Sequence, residues 1–218
     1  MKIKAAVFDL DGTLVDSLTF WGYFWPLIGE KYLGVKDFAP TSEDDKAIRT
    51  LILSEAMELI HKNYNIAQSG EELTRFAYDV MNDFYKTRVQ LKPGVREFLE
   101  HLKSVGVKMC IASASAPAHI DIAVDTCKVR EYFSAILSCA TLGKSKDKPD
   151  IYLLAAETLG ETPEDTWVFE DSLTAIETAT KIGMPTVAIY DKFNFGQERM
   201  KKIATEYVAE GETLLKLI

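Results

Sequence analysis

Hydrophobic and polar positions follow two different rhythms along this chain. Residues 3–8 form a short apolar-rich run that stops at a polar turn, Asp9, Leu10, Asp11 and Gly12. A run of that length is too short for a typical helix and reads as an interior strand of a parallel sheet, covered on both faces. From about residue 18 to residue 90 the period is helical. Ile48, Leu51, Ile52, Ala56, Leu59 and Ile60 recur at three- and four-residue spacing and predict one amphipathic helix with a single apolar face. A second helical stretch spans about 71–88, an aromatic-rich one at 20–25 precedes both, and no strand-like run interrupts the block.

After Lys92, Pro93 and Gly94 the pattern switches to alternation. A helix to about residue 104 is followed by an apolar strand at 107–112 and a helix from about residue 117. Further short apolar runs stand at 135–137, 167–169 and 185–189, separated by helical patterns such as Ile151, Leu154, Ala155, Thr158 and Leu159. Strands alternating with helices imply an α/β fold, a doubly wound parallel sheet. The strand at 3–8 belongs to that sheet, so the expected organisation is a core of residues 1–17 and 90–218 with an inserted all-helical domain at 18–89, Pro93-Gly94 marking the return.

Composition narrows the function classes. At 218 residues, with 47% apolar and 27% charged positions, the chain is long enough for a proper core and has the balance of a soluble globular protein. The formal net charge of -8, with no Lys or Arg block, argues against nucleic acid and against an anionic membrane surface as partners. Cys110, Cys127 and Cys139 make neither a CxxC site nor an even disulfide framework, which fits a reducing cytoplasmic setting. No signal-peptide pattern opens the chain, and no apolar run approaches the length of a membrane span.

The chemistry gathers where the strands end. Open α/β sheets place ligands at the carboxyl ends of their strands. In an extended chain residues two apart point to the same side, so Asp9 and Asp11 are expected to converge, and two carboxylates that close call for a cation between them. The strand at 107–112 runs into Ser113, Ala114 and Ser115, and the one at 167–169 into Glu170, Asp171 and Ser172. Between them lies a cation-rich loop with Lys144, Lys146 and Lys148. At one sheet edge these loops would combine carboxylate pairs, a hydroxyl, free backbone amides and a lysine. Hard oxygen ligands of that kind suit magnesium beside a phosphate, and phosphoryl transfer asks mainly for positioning and charge neutralisation.

Asp9-Leu10-Asp11-Gly12-Thr13-Leu14-Val15-Asp16-Ser17 resembles the first motif of the haloacid dehalogenase superfamily. Ser113 resembles the second, Lys146-Asp147-Lys148-Pro149-Asp150-Ile151-Tyr152 the third and Val168-Phe169-Glu170-Asp171-Ser172 the fourth, in the family's order. The likeness covers the whole chain, the helical block lies where the family carries its cap, and the nearest branch is that of small-molecule phosphatases and β-phosphoglucomutases. The resemblance implies a magnesium-dependent phosphatase working on a small phosphorylated metabolite through an aspartyl-phosphate, as a monomer or homodimer. Asp9 would be the nucleophile and Asp11 the acid that protonates the leaving oxygen and then activates water. Magnesium would be held by the Asp9 side chain, the Asp11 backbone carbonyl and Asp171, with Glu170 nearby. Gly12, Thr13, Ser113 and the Ala114 amide would meet the phosphate, and Lys146 would neutralise both the phosphoryl group and Asp9. The superfamily's dehalogenases lack the second aspartate and need no metal, so Asp11 favours phosphate chemistry over carbon-halogen cleavage.

Two positions depart from the family pattern. Asp147 stands where the third motif commonly has proline, and spacing alone leaves Lys144 and Lys148 beside the preferred Lys146. Trp21, ten residues after Asp11, stands where the mutase branch has histidine, which weakens a mutase reading. A receiver-like signalling module also uses an acidic pair, a hydroxyl and a lysine, but is shorter and has no cap. Plainer roles suit other residues: Ser172 as the start of the next helix, the aromatics Phe20, Trp21, Tyr23, Phe24 and Trp25 as core of the helical block, and Arg49, Arg75 and Arg88 as cations on solvated helix faces. His61, His101 and His119 lie far apart on helical patterns and are set outside the site.

Overall fold

The computed structural model describes residues 3–48 and 51–218. Six strands, β1 (Ala5–Phe8), β2 (Lys108–Ser113), β3 (Ala135–Ser138), β4 (Thr166–Glu170), β5 (Thr186–Ile189) and β6 (Glu206–Val208), form one sheet in the order β3-β2-β1-β4-β5-β6. Every neighbouring pair is parallel. The doubly wound α/β core expected from the alternation is present, and β1 is central, with all four of its residues fully buried. Two aliphatic side chains of β1 and β4, Val7 and Val168, join Ile151, Tyr152 and Ala155 of the helix Asp150–Leu159 and Ala175 of the helix Leu173–Lys181 in one core cluster. On the opposite face Phe8 stacks on Phe169 at 4.4 Å between ring centroids and meets Phe98 of the helix Val95–Ser104 edge-on at 6.3 Å.

Two compact units divide the chain, Met1–Leu18 with Val89–Ile218 and Thr19–Arg88. The second is entirely helical among its described residues, with helices Phe20–Ile28, Ser42–Ile48, Leu53–Tyr64 and Gly70–Thr87 and a wider turn at Gly29–Leu33. The single amphipathic helix expected from Ile48 to Ile60 is instead two. Leu51 and Ile52, which continue the apolar spacing, are 38% and 65% exposed, and Ile52 is extended at the start of Leu53–Tyr64. Among the described residues of this stretch only Ile48, Ala56, Met57 and Ile60 are buried, with Leu59 half-buried. Helix Gly70–Thr87 starts at a reciprocal cap: the Ser69 hydroxyl accepts the Glu72 N–H at 3.2 Å and the Glu72 carboxylate accepts the Gln68 N–H at 3.0 Å. Phe20, Phe24 and Trp25 are buried and pack as core of this unit, Phe20 on Phe24 at 5.2 Å. Arg75 pairs with Glu71 at 3.1 Å and Arg88 lies over the Tyr23 ring, while Arg49 falls outside the described residues. Cys110, Cys127 and Cys139 are free thiols and all buried. Among the described residues no helix is long and apolar enough to cross a membrane.

Candidate active site

The site begins with strand register. Phe8 of β1 lies opposite Phe169 of β4, so the next residues, Asp9 just past β1 and Glu170 at the end of β4, stand side by side. The Asp9 N–H donates to the Phe169 carbonyl at 2.9 Å, which keeps the two chains paired past the end of β1. Strand alternation then turns both side chains to the face of Val7 and Val168, where the helix Asp150–Leu159 packs. The cation-rich loop before that helix delivers Lys146, whose ammonium pairs with both Asp9 Oδ1 and Glu170 Oε1. Tyr152, one turn into the helix, donates its hydroxyl to Glu170 Oε1 at 3.1 Å. Lys144 and Lys148 are exposed, Lys148 beside Asp147 at 3.6 Å.

Asp171 completes an acidic group. Carboxylate oxygens of Asp9, Glu170 and Asp171 all lie within 4.8 Å of one another, and all three residues are buried. Burial lifts the Asp9 carboxyl well above its ordinary value; Lys146 opposes this, and the charges of Glu170, Asp171 and Asp11 add to it. Asp171 is pushed up to about 7 by burial and then by Glu170, with Lys92 and the Thr13 hydroxyl pulling the other way. Burial pulls the Lys146 ammonium down, but Asp9 and Glu170 outweigh it and hold the group well above the usual lysine value. One ammonium against three buried carboxylates leaves a formal excess of two negative charges. Lys92, near Asp171, is already committed to Asp191 at 2.8 Å. An all-oxygen, electron-rich donor set of this kind fits a hard divalent cation such as magnesium.

The turn after Asp9 departs from the extended path that would bring Asp9 and Asp11 to one point. Leu14 and Val15 N–H groups both return to the Leu10 carbonyl, at 2.9 and 3.0 Å, so the chain curls at Leu10 instead of staying extended. The Asp11 carboxylate is therefore outside the acidic group and is held by two hydroxyls, Ser17 Oγ on Oδ1 and Ser115 Oγ on Oδ2, each at 2.6 Å. Gly12 makes the curl possible. Its φ is +81°, and a Cβ there would stand 2.1 Å from Asp171 Oδ2. Thr13 is buried and its hydroxyl donates to Asp171 Oδ1 at 3.0 Å, so this side chain supports Asp171 directly.

Ser113 ends β2 two residues beyond Ile111, the partner of Phe8, and so lies at the same sheet edge. Its hydroxyl accepts the Ser115 N–H at 3.0 Å, and Ala114 between them is exposed in the loop. Ser172 does precede the helix Leu173–Lys181, but its side chain makes no capping bond; its N–H turns back to Glu170 Oε2 at 3.3 Å. His119, set aside on spacing, is buried; burial lowers its pKa and the nearby Asp11 charge partly opposes that. The sequence reading names Tyr152 and Ser115 without giving them a role and passes over Asn194: Tyr152 bonds Glu170, Ser115 bonds Asp11, and the Asn194 amide donates to the Asp171 carbonyl at 3.1 Å and to Asp171 Oδ2. The rule that ligands gather at strand ends would have pointed to the loop after β5, where Asn194 stands.

A family model for haloacid dehalogenase-like hydrolases matches residues 3–183, most of the chain, with strands β1 to β4 inside the match. The chain belongs to this family. A phosphorylated carbohydrates phosphatase of Thermotoga maritima is 25% identical over 214 residues, 97% of both chains. A β-phosphoglucomutase of Bacillus subtilis is 28% identical over 194 residues, 86% of this chain and 83% of its own. The crystal structure of a candidate β-phosphoglucomutase from Thermotoga maritima superposes with a TM-score of 0.84 at 24% identity, covering 99% of this chain and 98% of that one, a likeness of fold. The protein is thus a hydrolase of the haloacid dehalogenase-like family, and its curated relatives include enzymes named as phosphatases.

Proposed function

We propose that this hydrolase is a magnesium-dependent phosphomonoesterase for small phosphorylated metabolites, working in the reducing setting that three buried free thiols suit. The observation that carries the reading is the buried cluster of Asp9, Glu170 and Asp171 with Lys146 as its one directly paired ammonium. The names of the relatives, a phosphorylated carbohydrates phosphatase and a β-phosphoglucomutase, support the substrate class. Side chains of Asp9 and Asp171, with Glu170 beside them and the Asp11 carbonyl, would hold the cation. When bound, the ion supplies charge neutralisation for the phosphoryl oxygens and for the crowded carboxylates.

The chain's own residues divide the work. Lys146 orients the Asp9 carboxylate and offsets phosphoryl charge. Asp9 attacks phosphorus in line, forming an aspartyl-phosphate, and the ester oxygen leaves with a proton from Asp11. Asp11 then takes a proton from water, which attacks phosphorus and returns Asp9 as a carboxylate. Ser17 and Ser115 fix the Asp11 carboxyl so that the same group serves both steps. Ser113, the Ala114 amide, Gly12 and Thr13 border the position of the phosphate.

Incubation with magnesium and an aryl phosphate, followed by free phosphate, tests the reading. Release should require both the metal and Asp9; release that survives chelation and the Asp9→Asn change together would sink it. A mutase would give isomerised sugar phosphate with little free phosphate, and the same assay run on hexose phosphates separates the two outcomes.

A further inference from the structure

We propose that Asn194 is a positioning residue that fixes the Asp171 carboxylate in one orientation for cation binding, an inference that rests on the metal-dependent reading above and deepens it. Asn194 stands in the loop between β5 and the helix Gln197–Ile203, 23 positions from Asp171 in sequence. Its Nδ2 donates both to the Asp171 backbone carbonyl, at 3.1 Å, and to Oδ2 of the same residue. The other carboxylate oxygen, Oδ1, accepts from Thr13 Oγ1 at 3.0 Å. The carboxylate is therefore gripped at both oxygens by two loops that arrive from different strands, and rotation about its Cβ–Cγ bond breaks both grips. Gly12 leaves room for this orientation, since the Oδ2 atom occupies the space a Cβ there would need.

The loop that brings Asn194 is itself seated by a chain of contacts. Asp191 Oδ1 accepts the Phe193 N–H at 2.9 Å, and Asp191 Oδ2 pairs with Lys92 at 2.8 Å, with side chains only 6% and 16% exposed. The Gln197 amide donates to the Asp191 carbonyl at 3.0 Å and to the Asn194 carbonyl at 3.4 Å, and the Asn194 N–H returns to Asp191 at 3.1 Å. A carboxamide at this point has a specific merit. It orients the carboxylate without neutralising it, whereas a lysine or arginine would compete with the cation for the same charge. Hydrogen-bonded partners of this sort set ligand direction and carry a measurable share of metal affinity.

The test is the magnesium dissociation constant of the full-length protein by calorimetry, alongside aryl phosphate turnover across a magnesium titration. Asn194→Ala should raise the constant ~10–100-fold, and turnover should recover as magnesium is raised to saturation. Asn194→Leu, which keeps the volume and removes the donor, reads the same constant should the alanine variant fold poorly. Wild-type protein that binds magnesium together with variants of unchanged constant overturns this inference alone. A loss of turnover that saturating magnesium does not restore, at unchanged affinity, overturns it as well. Wild-type protein that binds no magnesium overturns the metal-dependent reading and this inference with it.

Discussion

In the sheet unit the buried polar groups converge, whereas in the helical unit Thr19–Arg88 the buried side chains are aromatic and aliphatic and none of the described charged residues is buried. Asp9, Glu170, Asp171 and Lys146 share one small volume at the edge of the sheet, and each of the three acids is held by at least one further side chain or backbone group. In the helical unit Phe20 stacks on Phe24 at 5.2 Å, Trp21 on Trp25 at 5.2 Å, and Phe24 lies 6.0 Å from Phe76. Its ion pairs among the described residues are exposed: Arg75 with Glu71 and Lys62 with Glu58, each one helical turn apart, and Lys36 with Glu30. Exposed pairs of that kind contribute little, so this unit owes its stability to the burial of apolar side chains, rings together with aliphatic residues such as Ile28, Met57, Ile60 and Leu73. The contrast separates two kinds of residue. Changes in the first unit's polar cluster should alter rate while the fold persists, and changes in the second unit's interior should alter stability first.

The largest effect belongs to Asp9. Asparagine keeps its shape and loses the anionic oxygen that would attack phosphorus, so turnover of an aryl phosphate should fall on the order of 10⁴-fold or more. Circular dichroism should show the same fold, because a neutral isostere removes repulsion from a crowded carboxylate group. A variant with turnover within tenfold of wild type would place the nucleophile elsewhere and break the contrast at its strongest point. Next comes Phe24→Ala, which empties a fully buried position between aromatic rings. Urea unfolding should report a loss of ~3–5 kcal/mol, with turnover per folded molecule changed far less than by the loss of Asp9.

Legibility in the sequence follows the same division. Strands β1, β2 and β4 are covered on both faces, so their positions had to be apolar and the runs at 3–8, 107–112 and 167–169 mark them to within one or two residues. Strand β6 left no trace, because only Val208 of its three residues is buried and no period can be read from one position. The helix break before Leu53 was hidden for the opposite reason: Leu51 and Ile52 keep the apolar spacing yet face solvent. In the site, Asp9, Glu170 and Asp171 stand at or just past the ends of strands and Lys146 in the loop before a helix, where polar residues next to apolar runs are conspicuous. Tyr152, Ser115 and Asn194 owe their places to side-chain reach between separate loops. Spacing along the chain does not encode such reach. The direction of the Asp11 carboxyl was likewise set by a curl that extended-strand reasoning leaves out.

Tyr152→Phe sharpens the contrast from inside a residue that belongs to both worlds, a fully buried ring in the apolar cluster with a hydroxyl on Glu170. Phenylalanine keeps the ring packing, so the unfolding midpoint should barely move. Losing one hydrogen bond to a carboxylate that keeps Lys146 and the Ser172 N–H should cost the reaction about 1–2 kcal/mol, read as a drop in kcat/KM. A fall in stability with unchanged kinetics would make the hydroxyl a packing group and erase the distinction at this position.

The smallest expected effect is at the far side of the contrast, in the cap of the helix Gly70–Thr87. Ser69 Oγ accepts the Glu72 N–H at 3.2 Å, one of the amides that a helix start otherwise leaves without a partner. Ser69→Ala should destabilise the protein by ~1 kcal/mol, a shift of roughly 2–4 °C in melting temperature for a chain of this length. The Glu72 carboxylate still receives the Gln68 N–H at 3.0 Å, which keeps the effect at the modest end. Because the helical unit is held by packing, turnover measured well below the transition should match wild type. A Ser69 variant that kept its melting temperature and lost turnover would show that this helix start acts on the chemistry, and the assignment of rate to one unit and stability to the other would have to be redrawn.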